Sequence, residues 1–218
     1  MIYMEINVNR FIDYLFAENE KQNLISRQAG REDVLSHIED SLAVLNFISL
    51  EGKRVIDIGS GAGFPALVLA IYCPQTAFTL IEADLKKSSF LQASCDHLGL
   101  SNVQIVRARA EELGQDPLYR GQYDCCSSRA VAAMNVMLEY GIPLLKPGGQ
   151  ILLWKGKNVQ SEVDLAQKAL TILQAGVEAI YHYILTGNKD RAIVVVKKEA
   201  DTPQQYPRRV GMPAKRPL

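Results

Sequence analysis

Apolar residues recur at helical spacing over the first fifty positions, Val8, Phe11, Ile12 and Leu15 in one run and Val34, Ile38, Leu42 and Leu45 in another. The spacing predicts amphipathic helices across residues 4–49. From residue 53 the period changes. Arg54-Val55-Ile56-Asp57-Ile58 is a short apolar run that stops at a glycine cluster, Gly59-Ser60-Gly61-Ala62-Gly63, and Pro65 then opens an apolar helix through Ile71. Beyond it the pattern predicts strands over 77–82, 103–106, 123–127 and 150–154. Helices are predicted over 85–98, up to about 140, and from about 159 to 175. Two closing strands, about 177–185 and 191–197, flank Thr186-Gly187-Asn188-Lys189-Asp190, which predicts a hairpin turn.

Strands that are apolar throughout and alternate with helices predict an α/β protein with a parallel sheet covered on both faces. The closing hairpin adds an antiparallel strand. Residues 1–50 are expected to form a helical extension packed on the core, and residues 51–218 the α/β domain, in a single folded unit. Residues 202–218 hold four prolines and are expected to run extended.

Composition narrows the classes. A length of 218 residues suits one full-sized domain rather than two independent enzymes. The 24 basic and 24 acidic side chains balance, which excludes a uniformly basic polyanion binder. The balance is uneven along the chain. Residues 1–50 carry 4 basic and 8 acidic groups and residues 197–218 carry 6 and 2, so the C-terminal end can still dock on phosphates. No stretch approaches the roughly 20 apolar residues that span a bilayer. Met1-Ile2-Tyr3-Met4-Glu5 lacks a basic region and an apolar signal core. Cys73, Cys95, Cys125 and Cys126 lack C-x-x-C spacing and a nearby histidine, so no metal site is expected and unpaired thiols suit a reducing compartment. The expectation is a cytoplasmic monomer with no membrane partner.

Glycines after the first strand of an α/β sheet let the backbone turn tightly and approach a ligand. A nicotinamide or flavin fingerprint, G-x-G-x-x-G, would require glycine where this chain has Phe64. The form found, Asp57-Ile58-Gly59-Ser60-Gly61-Ala62-Gly63, resembles the cofactor loop of class I S-adenosylmethionine-dependent methyltransferases, whose sheet is Rossmann-like. That resemblance gives Asp57 the cofactor's ammonium group. Glu82, ending the second strand, is placed to accept both ribose hydroxyls of a nucleoside. Arg109-Ala110-Glu111 would border the adenine. Leu144-Leu145-Lys146-Pro147-Gly148-Gly149 is a turn that recurs in the same class.

The methyl acceptor is narrowed by elimination. The segment Asp124-Cys125-Cys126-Ser127-Ser128-Arg129-Ala130 lacks the Asn/Asp-Pro-Pro-aromatic motif that orients an exocyclic amine. A pyrimidine carbon needs a thiolate, for which Cys125 or Cys126 has only Arg129 as an activating neighbour. A ribose hydroxyl needs a lysine, and Lys155 with Asp124 is the candidate pair. Guanine N7 has a free lone pair and no proton to remove, so positioning, worth about 7–11 kcal/mol, is its main requirement. Elimination favours N7 without closing the other routes.

Longer stretches match a family. His37-Ile38-Glu39-Asp40-Ser41-Leu42, the glycine loop through Phe64-Pro65, Arg109-Ala110-Glu111-Glu112, Ser128-Arg129-Ala130, Lys155-Gly156 and Tyr206-Pro207-Arg208-Arg209-Val210-Gly211-Met212-Pro213 together resemble the bacterial ribosomal RNA small subunit methyltransferase G family, or glucose-inhibited division protein B. The resemblance implies methyl transfer from S-adenosylmethionine to guanine N7 in the 530 loop of 16S rRNA, on the small ribosomal subunit. A cofactor-binding but non-catalytic ribosome assembly factor, or a methyltransferase for another RNA, is the alternative. The resemblance maps the cofactor pocket to Gly59, Phe64, Ala110, Glu111 and Arg129, beside Asp57, Gly61, Gly63 and Glu82 from the loop and second strand. Arg129 would position reactants rather than act as a base, and would point to a carboxylate or RNA. Phe64 packs on cofactor or base, or else in the core, and His37 with Asp40 contacts substrate or shares a helix-face bond. Lys155, Arg191, Lys197, Arg208, Arg209, Lys215 and Arg216 are the candidate RNA contacts, with Tyr206 stacking on a base or anchoring the tail. Two departures from the family pattern are Asn23-Leu24-Ile25-Ser26 and Ala66.

Overall fold

The computed structural model describes residues 2–218, with side-chain surroundings from residue 4 onward. Helices α1 (Ile2–Asn19) and α2 (Arg31–Leu42) precede the sheet, and a 3-10 turn, Ala43–Asn46, leads into it. The alternating part runs β1 (Arg54–Ile58), α3 (Ala66–Tyr72), β2 (Ala77–Ile81), α4 (Leu85–Leu98), β3 (Val103–Val106), a short α5 (Ala110–Leu113), β4 (Tyr123–Arg129), α6 (Met134–Gly141) and β5 (Leu145–Lys155). Helices α7 (Val159–Leu165) and α8 (Gln167–Leu173), the hairpin β6 (Ala175–Leu185) and β7 (Lys189–Lys198), and α9 (Met212–Lys215) complete it.

The seven strands form one sheet in the order β3-β2-β1-β4-β5-β7-β6. The first five are parallel, β7 is antiparallel to β5, and β6 pairs antiparallel with β7. This is the class I methyltransferase sheet. Because side chains alternate across a strand, neighbours serve opposite cores. Val55, Cys125, Leu152 and Trp154 face the core built with α1 to α4, whereas Ile56, Cys126, Ile151 and Leu153 face the one built with α6 to α8. Phe11, Ile12 and Leu15 of α1 and Val34 of α2 are fully buried in the first core, so the extension covers that face of the sheet.

Three details depart from the sequence reading. The tail is not extended throughout, because α9 forms with Pro213 in its first turn, where a missing N–H leaves no helical bond unmade. The helix expected over 159–175 is two helices joined at the buried Ala166, where no breaker residue marks the joint. The Lys146-Pro147-Gly148-Gly149 turn lies inside β5, whose pairing with β4 shifts register between Tyr123 and Cys125.

Candidate active site

Strand order reverses between β1 and β4, the switch point at which open α/β sheets form a ligand crevice beyond their strand ends. Gly59 leaves β1 with φ 73° and its N–H bonded to the Ile81 carbonyl at 2.9 Å. A Cβ there would lie 2.5 Å from Val131 Cγ2, so only glycine lets the loop pass the segment after β4. Gly63 is held the same way, at φ 93° and with Leu67 Cδ1 2.6 Å from a would-be Cβ.

Glu82 closes β2. Its carboxylate accepts the Gly61 N–H at 3.0 Å and the Asp84 N–H at 2.9 Å, which locks the glycine loop to the next strand. A carboxylate has about four acceptor sites, so two remain for a ligand. The cavity in front of it encloses about 420 Å³ and is walled by Gly59, Gly61, Glu82, Ala110, Glu111 and Tyr140, among others. That size suits a small-molecule site. The glycine floor, the paired free acceptors of Glu82 and the buried Ala110-Glu111 edge fit a nucleoside with vicinal hydroxyls, and so S-adenosylmethionine.

The C-terminal tail supplies the last wall. Ala214 of α9 lines the cavity, and the Gly211 N–H bonds Glu111 Oε1 at 2.9 Å. Arg208 donates from Nε and an Nη to the buried Glu139, at 2.8 and 2.6 Å, and its backbone N–H joins them. Arg120 bonds the carbonyls of Thr202 and Tyr206. Tyr206 is itself buried, so it anchors the tail.

Asp57 lies beneath the loop and is not on the cavity wall. Ser60 and Ser127 hydroxyls donate to its two oxygens, each at 2.6 Å, tying the loop to β4. Burial pushes its carboxyl up to about 6 against those two bonds, which pull it down. The folded protein therefore binds a proton that the unfolded chain releases near 3.8, so this group's contribution to stability falls as pH rises from about 4 and is gone above about 6. An Asp57→Asn chain should lose that slope, amounting to about 3 kcal/mol. Urea unfolding of both chains across this pH window checks it.

A second cavity, of about 510 Å³, adjoins the first along Ala130 and Ala132. Ala130 at this seam has φ 58°, a left-handed conformation that costs a non-glycine residue roughly 1–2 kcal/mol. Arg129 lines the second cavity. An Nη donates to Asp40 Oδ2 at 2.8 Å and to the His37 carbonyl at 3.2 Å, and the guanidinium sits 5.2 Å from the Phe64 ring centroid. Asp40 also accepts the Tyr183 hydroxyl at 2.6 Å, its own carbonyl takes Trp154 Nε1 at 2.7 Å, and Arg191 Nε stands 4.0 Å away. Burial, and then the Arg129 charge, lower the pKa of His37 and so favour its neutral ring.

The fold thus brings Gly59, Gly61, Glu82, Ala110 and Glu111 to one cavity, and Arg129, Lys155 and Arg191 to its neighbour. Gly63 and Phe64 stand behind the walls, Phe64 edge-on to Phe11 at 5.5 Å. Arg208 is committed to Glu139, and Lys197 lies 3.9 Å from Glu178 on the closing hairpin. Arg209, Lys215 and Arg216 are exposed on the tail. Two earlier options change. Lys155 and Asp124 cannot act together: Asp124 pairs with Lys146 at the opposite end of the strands, roughly 20 Å away by strand rise. Cys125 and Cys126 are fully buried, and burial raises both thiols. Tyr140, Ala214 and Glu162 were missed, because their positions carry no motif and only the packing of α6, α7 and the tail brings them in.

The family described as rRNA small subunit methyltransferase G (GidB) matches residues 4–194. A protein from Syntrophomonas wolfei named ribosomal RNA small subunit methyltransferase G is 56% identical over 215 residues, 99% of this chain and 100% of that one. One of the same name from Desulfitobacterium hafniense is 44% identical, over 95% of this chain and 87% of its own. Among solved structures, M. jannaschii TYW2 in complex with AdoMet superposes with a TM-score of 0.58 at 16% identity, over 78% of this chain and 76% of that one, a likeness of fold. With a glycine loop, a ribose-ready carboxylate and a match along nearly the whole sequence, the chain belongs to the rRNA small subunit methyltransferase G family.

Proposed function

We propose that this protein transfers the methyl group of S-adenosylmethionine to N7 of a guanine in the 530 loop of 16S rRNA, on the small ribosomal subunit. The observation that carries the reading is the pair of cavities meeting along Ala130 and Ala132, one suited to a nucleoside donor and the other large enough for a flipped base. The name shared by its relatives supports the ribosomal substrate.

Bound S-adenosylmethionine supplies an electrophilic methyl carbon on a positive sulfur. This chain's residues orient the two reactants. Glu82 holds ribose hydroxyls, the Ala110-Glu111 edge borders the purine, and Asp57 keeps the loop in place through Ser60 and Ser127. Arg129 spends its charge on Asp40 and therefore does not oppose the positive donor. Guanine N7 needs no base, which suits a site whose thiols burial keeps protonated. Orientation alone supplies about 7–11 kcal/mol in well-aligned systems. On this reading Lys155 and Arg191, which line the cavity, and Arg209 and Lys215, exposed on the tail, meet RNA phosphates or bases.

Incubating unmodified small subunits with methyl-labelled donor tests this. The expected result is label on one guanine, mapped to N7 by strand scission at the modified base. Donor binding without transfer would make the chain a non-catalytic assembly factor, and label elsewhere would relocate the target.

A further inference from the structure

We infer that Lys155 and Glu162 form the specificity element that reads the Watson–Crick edge of the target guanine; this rests on the function proposed above. The two side chains project into the second cavity from the end of β5 and from α7. Lys155 is deeply buried, its side chain 9% exposed, whereas the Glu162 side chain is 33% exposed toward the cavity. Their contact is 2.6 Å, from Lys155 Nζ to Glu162 Oε2, and that oxygen also takes the Met134 N–H at 3.2 Å. A second bond of Lys155, to the Ala132 carbonyl at 3.5 Å, ties the pair to the seam between the cavities.

The hydrogen-bonding capacity left over is specific. Glu162 Oε1 has no partner among the described residues, and Lys155 Nζ retains a donor. Asp40, the other carboxylate of this cavity, has both oxygens engaged, by Arg129 and Tyr183. Glu162 is therefore the carboxylate that can accept from a base. Side by side, Lys155 presents a donor and Glu162 Oε1 an acceptor with two free lone pairs, which complement a base edge of one acceptor followed by two donors. Guanine answers with O6, N1–H and the N2 amine. Adenine offers an amine where Lys155 already donates and a bare ring nitrogen where Glu162 needs a proton, so it is rejected by mismatch as well as by lost bonds. Gripped by that edge, guanine keeps the N7 lone pair on its adjoining Hoogsteen edge uncommitted.

The test uses the full chain and small subunits carrying either guanine or adenine at the target position. For Glu162→Gln we expect kcat/KM on guanine to fall at least 100-fold, the preference for guanine over adenine to shrink at least ten-fold, and the Kd for S-adenosylmethionine to stay within two-fold. Glu162→Asp should recover part of the guanine preference, which a purely structural role would not produce. A Glu162→Gln chain with unchanged kcat/KM, or one that loses rate while keeping its preference intact, overturns the inference. Absence of transfer by the unaltered chain to guanine-bearing subunits would instead sink the proposed function, and this inference with it.

Discussion

Replacing Glu82 by alanine should lower the affinity for S-adenosylmethionine about 10²–10⁴-fold. Two bonds from ribose hydroxyls to a carboxylate contribute about 1.5–3 kcal/mol each, because one partner is charged. The same carboxylate holds the Gly61 and Asp84 N–H groups, so the alanine chain also frees the glycine loop that forms the cavity floor. Glu82→Gln should fall between the two: one amide oxygen still accepts, but the NH₂ end would face a backbone donor and leave it unpaired. Calorimetry with the donor and its demethylated product measures all three chains. Equal affinities would remove Glu82 from the ribose site.

The second large effect is structural. Asp40→Ala should destabilise the fold by about 3–5 kcal/mol, since it leaves the Arg129 guanidinium buried without its counter-charge. Both side chains are nearly shielded, at 8% and 12% exposure, so solvent screens little of the loss. The Tyr183 hydroxyl loses its acceptor as well. A drop of this size lowers Tm by roughly 2–4 °C per kcal/mol in a chain of this length. The pair Asp40→Leu with Arg129→Met separates packing from function. Apolar side chains of similar volume often restore the stability of a broken buried ion pair, so this chain should refold well yet transfer methyl groups poorly if Arg129 positions the acceptor. Full transfer by the double variant would reduce Arg129 and Asp40 to a structural pair.

Much of the site was legible because its signals are local. The acid-x-G-x-G-x-G loop follows from one turn after one strand, and Glu82 from its place at the end of the next. The register Ile58↔Ile81 then brings the two together without further information. Asp57 shows the limit. Its position beneath the loop could be read, but the serines that take both its oxygens come from position 60 and from position 127, on another strand. Arg208 shows it more sharply. A cation in a basic tail reads as a phosphate contact, yet Glu139, 69 residues earlier and inside an apolar helix, captures it.

The sequence by itself determined the alternation of strands and helices, the glycine loop, the Glu82 position and the family, since each is written in residues adjacent along the chain or at a fixed short spacing. Only the tertiary structure decided that Asp40 anchors Arg129, that the tail closes the donor cavity through Gly211 and Ala214, and that Lys155 stands with Glu162 rather than Asp124. The physical reason is that a buried charge must find its partner among whatever packing brings near it, and those partners come from elements tens of residues apart.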